Sequence, residues 1–309
     1  MGFVEYALII AVILATPLLL ASVGELVAER AGVLNLGVDG MMLVGASVGV
    51  VTALQTSSIL AAFAAAMASG AVMGAAHAFF AVSVRANQIV AGLTLGILGV
   101  GLSSFIGAGV SGTPVTAKLD PIPIPLLESI PVIGNVFFNH DIVVYIAILL
   151  LPATSLFLQR TRVGSAVRAC GSAPSAADTA GISVIRIRYA ATIFGGALAG
   201  VGGAYFSCIY ALVWADNLTA GRGWIALALV IFASWKPLLL LPGAILFGFV
   251  DAMNFQLQTQ GVRISSDWLG MLPYVFTLVA LIVRQVRRRS GHSPIPDALG
   301  EPYRRESRT

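Results

Sequence analysis

The chain has 309 residues, of which 58% are hydrophobic and 10% charged, and its formal net charge at pH 7 is +4. A soluble domain carries roughly 25% charged residues, so this composition excludes a soluble globular protein and indicates an integral membrane protein. The small positive charge gives no reason to expect nucleic acid as a partner. Cys170 lies in a polar loop and Cys208 in an apolar segment, so neither a disulfide nor a reactive thiol is predicted.

Apolar segments long enough to cross a bilayer recur along the chain. A span needs about 20 mostly apolar residues, and the abundance of Ala, Gly, Leu, Ile and Val indicates closely packed helices and not barrel strands. The first segment lacks a basic leader region, so we interpret it as a retained span. We therefore predict an all-α integral membrane protein with about nine transmembrane helices, of which the seventh is short for a full crossing. They lie at residues 4–24, 37–54, 59–84, 88–107, 142–159, 189–211, 222–235, 238–258 and 268–284.

The basic residues predict the orientation of these spans, because Lys and Arg concentrate on the cytosolic side. Five arginines lie between residues 159 and 189, and seven more follow residue 283. With both groups inside, the N-terminus is outside and the C-terminus is cytosolic. The Pro-rich stretch from 109 to 141 is then an external, extended segment. Residues 1–290 form the transmembrane domain, and the polar tail 291–309 is predicted to be cytosolic and disordered.

Two polar breaks interrupt the apolar pattern. The stretches ERAGVLNLGVDG, from Glu29, and LTAGRG, from Leu218, place glycines and polar side chains directly before an apolar helix. Non-helical backbone at membrane depth is tolerated only where it is packed in protein or lines a wet cavity. The polar side chains therefore either cap the helix that follows or line a path. Trp224 and Trp235 bracket the second short helix and are interpreted as interface anchors.

The two breaks occupy corresponding places in two sets of four spans with opposite orientations. Each set runs a long helix, a short helix that opens at a break, and two further helices. This order predicts an inverted repeat with short broken helices, whose site lies where the breaks meet near the midplane. Asp251, inside the eighth span, either makes a structural hydrogen bond or contacts substrate. The candidate path residues are Asn35, Asp39, Thr219, Gly221, Asp251, Asn254 and Gln258.

The basic loop at about 160–188 contains an ordered element. In APSAADTAG, Pro174 occupies a first helical position and Gly181 lies just past the helix end. A solvated loop needs no such order, so this short helix is either a docking element or a plain cytosolic loop. His77 is interpreted as a packing residue, and no cluster of residues has metal-ligand spacing, so no metal, cofactor or catalytic residue is predicted.

Five stretches, in this order, resemble permeases of the ABC importers for nucleosides and simple sugars, in the family that contains ribose and branched-chain amino-acid permeases. They are ERAGVLNLGVDGMMLVGA, RANQIVAGLTLGILGVGL, RACGSAPSAADTAGI, TAGRGWIALALVIFASWKPL and GAILFGFVDAMNFQLQ. The resemblance covers nearly all of the chain except the Pro-rich segment and the tail. It implies that the short helix couples to the ATPase through Gly171, Pro174, Ala177 and Gly181. The family usually has Gly-Glu-Asn-Pro where this chain has Gly-Ser-Ala-Pro.

The resemblance also implies the partners. They are a second, longer permease subunit, a cytosolic ATP-binding subunit and an extracytoplasmic substrate-binding lipoprotein, in the lipid of a bacterial inner membrane. The sequence contains no phosphate-binding G-x-x-x-x-G-K-[ST] motif, so ATP is bound by the separate subunit. The expected cargo is a nucleoside, and a simple sugar is the alternative. An ion-coupled secondary transporter would need a titratable network across the midplane, for which only Asp39, His77 and Asp251 are candidates.

Overall fold

The computed structural model is almost entirely helical in the part of the chain that it describes. The helices are α1 Phe3–Arg30, α2 Val38–Thr56, α3 Ile59–Ala78, α4 Gln88–Gly107, α5 Ile133–Phe137, α6 Ile142–Arg160, α7 Arg162–Ser172, α8 Pro174–Thr179, α9 Val184–Tyr205, α10 Arg222–Ala233 and α11 Leu240–Thr259. π-Helical turns at Phe79–Ser83 and Phe206–Ala211 extend α3 and α9, and 3-10 turns at Ala108–Val110 and Pro237–Leu239 adjoin α4 and α11. The structure describes residues 3–125, 127–128, 130–131, 133–259, 268, 271, 275, 278–279, 282 and 295–304.

Six helical stretches among these residues are long and apolar enough to cross a membrane. They confirm the all-α membrane class and match the first six predicted spans, whereas the count of nine helices stays a prediction. The stretch predicted at 268–284 lies largely outside the described residues. The six are Val4–Arg30, Val38–Thr56, Ile59–Ser83, Gln88–Val110, Ile142–Arg160 and Val184–Ala211.

The bundle is centred on α9, whose glycines let three other helices approach its backbone. Cβ atoms built on Gly195, Gly196 and Gly200 would lie within 3.2 Å of backbone atoms in α1, α3 and α3, respectively. A Cβ on Gly203 would lie 1.8 Å from the carbonyl oxygen of Met42 in α2. Helices in a bilayer associate through this kind of close packing, because lipid tails supply no hydrophobic driving force between them.

The pairing of these contacts fixes the direction of each helix. Gly24 meets Gly195 and Pro17 meets Gly202, so α1 and α9 are antiparallel. Gly45 meets Gly200 and Gly49 meets Ala204, so α2 runs parallel to α9. The bundle thus has an Arg30 end, where α1 stops and α9 starts, and a Phe3 end, where α1 starts.

The segment 109–141, predicted to be extended, carries a little secondary structure at the Phe3 end. Strand β1, Ile122–Pro123, pairs antiparallel with β2, Asn139–His140, in the register Ile122 opposite His140. Asp141 then caps α6 by accepting hydrogen bonds from the amides of Val143 and Val144 at 2.9 and 3.3 Å. The second Asp141 oxygen accepts a hydrogen bond from the Tyr205 hydroxyl at 2.8 Å, which ties α6 to the end of α9.

The described part of the tail contacts the bundle, and the disorder predicted for 291–309 as a whole stays a prediction. Residues 295–304 lie against the Arg30 end of the bundle, where the Ala298 amide donates to the Gly171 carbonyl at 2.9 Å. Ala298 is buried, and Tyr303 packs against Cys170 and its neighbours. Within a polar stretch, residues 295–304 thus combine backbone hydrogen bonds with two packed side chains.

We expect Gly203→Val to destabilise the bundle. The added side chain collides with the Met42 carbonyl in the packed α2–α9 contact, and such overpacking costs about 1–3 kcal/mol or more. The measurement is thermal unfolding of the purified protein in detergent, together with the yield of monodisperse protein. Gly101→Ala is the matched control, because a Cβ there meets nothing within 4 Å. Equal melting temperatures for both variants would contradict the close packing.

Candidate functional site

The first break is an unwound segment, residues 31–37, whose backbone is held by side chains from three helices. The Leu34 amide donates to Oε1 of Gln88 at 2.8 Å, and Nε2 of His77 donates to the Leu34 carbonyl at 3.0 Å. The Asn35 amide donates to Oε1 of Glu25 at 3.0 Å. All three side chains are buried, so this stretch of backbone satisfies its hydrogen bonds without forming a helix.

Asn35 shapes this break from inside. Its Oδ1 accepts a hydrogen bond from the Gly37 amide at 3.0 Å, and its Nδ2 contacts the Met41 sulfur at 3.4 Å. The side chain is 1% exposed. The hydrogen bond to an amide two residues along is the local pattern that lets Asn compete with helical pairing.

The second break, residues 212–221, adopts an irregular and strained backbone. Positive φ angles occur at Leu212, Asn217 and Ala220, and again at Gly221. A non-glycine residue with left-handed φ and ψ angles costs of order 1–3 kcal/mol, so the surrounding structure must hold it in place. Such residues cluster at functional sites. The break starts at the Phe3 end, where the Val115 amide donates to the Leu212 carbonyl at 2.8 Å.

The helix after this break, α10, occupies only half of the bundle's depth. Its 12 residues span about 18 Å, less than the roughly 30 Å of a hydrocarbon core. The Ser22 hydroxyl donates to the Ala226 carbonyl at 3.1 Å, and the Trp235 indole donates to the Glu29 carboxylate. Helix α10 therefore runs alongside the second half of α1, and it begins near the middle of the bundle.

The two breaks meet at Asp39, in the first turn of α2. Its Oδ1 accepts hydrogen bonds from the Thr219 hydroxyl at 3.0 Å and from the Gly223 amide at 2.9 Å. Gly223 lies against the Asp39 backbone, since a Cβ there would be 2.3 Å from the Asp39 Cα. Asp39 caps the helix of the other break, while α2 starts at Gly37 with no side-chain cap. Whether Asp39 also lines a path stays a prediction.

Asp251 forms an ion pair beside this junction. Its Oδ2 lies 2.9 Å from a guanidinium nitrogen of Arg222, and the two side chains are 28% and 17% exposed. Arg222 also donates to the Thr219 carbonyl at 3.1 Å and stacks over the Phe206 ring at 4.3 Å. Asp251 thus has a charged partner within the protein, and its contact with substrate stays a prediction.

Asn254 and Gln258, the other two candidates of this helix, lie in α11, and their side chains are outside the described part. Gly221 is the residue that ends the second break, at φ +81°, and α10 follows it directly. That conformation suits glycine, because it lacks a Cβ.

The tryptophans correct the sequence-based interpretation. Trp235 is 5% exposed, and it holds the Arg30 end together by donating to Glu29 and accepting at its carbonyl a 2.8 Å hydrogen bond from Arg30. It is therefore an internal residue and not an interface anchor. Trp224 is 41% exposed, but it lies in the first turn of α10, which begins near the middle of the bundle, so its exposure does not place it at a membrane interface.

The short helix predicted in the basic loop is present as α8, with Pro174 at its first position and Gly181 in the left-handed region at φ +83° just beyond it, and its docking role stays a prediction. Ala177 faces inward, against Cys170 and Val184. Gly171 packs on the end of α1, because a Cβ there would lie 2.2 Å from the Arg30 carbonyl. The exposed side chains of α8 are Ser175, Ala176 and Thr179.

Comparison with known proteins decides the family. The model for the permease component of branched-chain amino acid transport systems matches residues 7–281. The chain belongs to this family of ABC transporter permeases. Among the residues that the structure describes, no group of three or more His, Cys, Asp or Glu side chains is placed to hold a metal ion.

Three relatives align over most of this permease. A chain assigned as a glucose ABC transporter permease of Haloferax volcanii is 39% identical, with 94% of this chain and 95% of that protein covered. The guanosine ABC transporter permease of Bacillus subtilis is 35% identical, with 94% and 93% covered. The nucleoside ABC transporter permease of Lactococcus lactis subsp. cremoris is 34% identical, with 87% and 89% covered. No solved structure is detectably similar to the chain.

These relatives are transport subunits and not enzymes, in agreement with the prediction. Sequence reasoning missed Glu25 and Gln88, which hold the first break, and Arg222 as the partner of Asp251. The usable signal was a carboxylate or amide standing alone near the end of an apolar segment, since such a group needs a buried partner.

We expect the Asp39–Thr219 contact to show as an interaction energy. Asp39→Ala leaves the buried Gly223 amide and Thr219 hydroxyl without their acceptor, which costs about 1–3 kcal/mol of unfolding free energy. Thr219→Val removes one hydrogen bond and costs less. The double variant loses less unfolding free energy than the sum of the two single losses, by about 0.5–1.5 kcal/mol. Denaturant unfolding in mixed micelles measures each term, with Asp39→Asn as the isosteric control. Strictly additive losses would contradict the junction.

Proposed function

We propose that the chain is the membrane-spanning permease subunit of an ATP-driven importer for nucleosides, and that its solute path passes the junction of the two breaks. The guanosine and nucleoside permeases among its relatives support this cargo. A simple sugar is the second candidate, because the relative with 39% identity is assigned to glucose. The permease would work with a cytosolic ATP-binding subunit, an extracytoplasmic substrate-binding lipoprotein and a second, longer permease.

The observation that carries the proposal is the meeting of two helix N-termini at mid-depth. Helices α2 and α10 start there and run in opposite directions, and Asp39 bridges them. This is the arrangement expected of an inverted repeat with broken helices, where unpaired backbone groups gather near the midplane. The nine crossings and the repeat itself remain part of this proposal.

The polar groups that line the path lie on the second break. Asp216 and Asn217 are exposed between the buried Trp214 and Thr219, and the partly exposed Arg222–Asp251 pair follows. A hydroxyl-rich neutral solute suits such a wall. Its hydroxyl groups exchange hydrogen bonds to water for hydrogen bonds to amide, carboxylate and backbone groups, with little net change in free energy. The wall would be supported by three buried side chains that do not themselves contact the solute, because their polar atoms bond within the protein: Asn35, Asp39 and Thr219.

An ion-coupled mechanism is the rival, and two contacts count against it. Asp251 has a basic partner in Arg222, and Oδ1 of Asp39 already accepts two hydrogen bonds. A carboxylate held in this way is a poor carrier of a proton or sodium ion across the midplane. Uptake that persists when an uncoupler collapses the membrane potential, and stops when ATP is depleted, separates the two mechanisms.

Uptake of labelled guanosine by cells that express the full transporter tests the path. We expect Asp251→Asn to lower uptake by about ten- to a hundredfold, because the Arg222 charge is left without its partner beside the path. Asp120→Asn, on the exposed external segment, is the matched control. Uptake is normalised to permease level by immunoblot, and an excess of unlabelled glucose tests the sugar alternative. Normal uptake in Asp251→Asn would contradict the proposal that the path passes this ion pair.

The proposed orientation puts the Phe3 end outside and the Arg30 end in the cytosol. We expect Thr116→Cys to react with an impermeant maleimide in intact cells, and Thr179→Cys to react only after permeabilisation. The background is low, because both native cysteines are buried and burial raises the pKa of the Cys170 thiol, which keeps it protonated near neutral pH. The reverse labelling pattern would overturn the orientation.

A further inference from the structure

An apolar cavity, here called the groove, opens on the outside of the bundle between α6 and α9. Its volume is about 410 Å³, which lies within the roughly 300–1,000 Å³ that ligand sites commonly have. Buried side chains such as Val27 and Ala191 form its base, whereas Ala190 and Phe194 are exposed at its rim. Among the lining side chains that the structure describes, Thr154 is the only polar one. The groove therefore suits a hydrocarbon ligand.

The groove lies at membrane depth and is closed at the Arg30 end by α7. Its other walls belong to α1, α6 and α9, which are all long and apolar enough to cross a membrane. Helix α7 contributes Val163 and Val167 to the lining. It folds back tightly on α6, because a Cβ on Gly164 would lie 2.0 Å from the Phe157 carbonyl oxygen, and its other end packs on α1 through Gly171. Helix α7 thus crosses the end of the groove, with valines on the inner side and exposed arginines on the outer side, as helices at a membrane surface do.

Exposed arginines gather at this end of the groove. Arg160 lies one turn beyond the lining residue Phe157, Arg162 is the first residue of α7, and Arg186 directly precedes the part of α9 that lines the groove. All three side chains are exposed, and none forms an ion pair with another described residue. Between residues 142 and 215 the sequence has a single carboxylate, Asp178, which is half-buried in α8. The positive charge at the groove is therefore left for an external anion.

The carboxylates of residues 295–304 belong to the other end of α7. Asp297 and Glu301 are exposed, and their segment bonds to α7 at Gly171. Gly171 is nine residues from Arg162, or about 14 Å along the helix, which exceeds the roughly 8–10 Å over which exposed charges act at physiological salt. The buried Arg188 also serves that end, since it donates to three backbone carbonyls there and is not available to a ligand.

We propose that the groove binds an anionic phospholipid, with an acyl chain between α6 and α9 and the phosphate group against Arg160, Arg162 and Arg186. This inference rests on the proposed function for its orientation, which puts the Arg30 end in the cytosolic leaflet, where anionic lipids are abundant. Basic pockets between spanning helices on this side suit anionic headgroups, and the planar guanidinium matches the oxygens of a phosphate. A soluble subunit could reach the arginines, but only a lipid also fills an apolar groove at membrane depth.

Native mass spectrometry of the purified full transporter, titrated with phosphatidylglycerol or with phosphatidylcholine of the same acyl chains, tests the site. We expect phosphatidylglycerol to bind at least tenfold more tightly at low salt, because each arginine near an anionic headgroup contributes roughly fivefold, and high salt reduces this preference. Arg160→Gln with Arg186→Gln is expected to remove most of the preference and to leave the binding of phosphatidylcholine unchanged. Arg85→Gln with Arg304→Gln is the matched control, because it removes the same charge from exposed positions at the same end of the bundle.

Filling the groove separates the acyl-chain site from the charged site. Ala190→Trp is expected to abolish the binding of both lipids, and Ala153→Trp, on the facing wall, is a second variant with the same expectation, since both positions are exposed and line the groove. Unchanged binding in both tryptophan variants overturns the groove as the site, and equal binding of the two lipids by the unmodified protein overturns the role of the arginines.

Two further outcomes concern the partners. A full transporter without bound lipid, together with an isolated permease that binds phosphatidylglycerol, would mean that the second permease covers the groove, and this overturns the proposal. The proposed function is judged separately, by guanosine uptake of the unmodified transporter. Its failure there would leave the lipid-binding measurements unaffected.

Discussion

The structure depends on one carboxylate that serves two helices. Asp39 lies in the first turn of α2 and accepts hydrogen bonds from the first turn of α10, so it neutralises the partial positive charge of both N-termini. Two helix N-termini that approach head to head would otherwise repel each other and leave amide groups unpaired in a low-dielectric interior. Gly223 is needed for the same reason, since any side chain there would collide with the Asp39 backbone.

Short helices are stable here because a close-packed frame surrounds them. The frame consists of four helices that meet through glycine contacts, α1, α2, α3 and α9. They form a rigid half of the bundle, against which both breaks pack. The positive φ angles at Leu212, Asn217 and Ala220 persist because α10 is anchored at both ends, by Asp39 at its start and by Glu29 through Trp235 at its finish. A strained segment between fixed ends has few alternative conformations, so the second break is held in one shape.

The features that could be predicted from the sequence are those that follow from the length of apolar segments and the placement of glycines. It located the first six spans, both breaks, the helix at Pro174 and the juxtaposition of Asp39 with Thr219. It did not find Arg222 as the partner of Asp251, because the two residues lie in different helices and a pairing between helices leaves no mark in the sequence pattern of either one. It also missed Glu25, Gln88 and Arg188, whose partners are backbone groups far away in sequence, and backbone partners leave no trace in the pattern of side chains.

The same backbone contacts connect the Arg30 end of the bundle to the junction. Gly171 in α7 lies against the last turn of α1, and Arg188 joins α7 to Ala31, where the first break begins, by donating to the carbonyls of Cys170 and Ala31. From Ala31 the unwound chain runs to Leu34 and Asn35, which Glu25, His77 and Gln88 hold, and then to Asp39. An unwound segment transmits displacement only if its hydrogen bonds move with it, and these bonds come from three helices that belong to one packed frame. The contacts of α7 are therefore joined to the junction of α2 and α10 through buried hydrogen bonds alone.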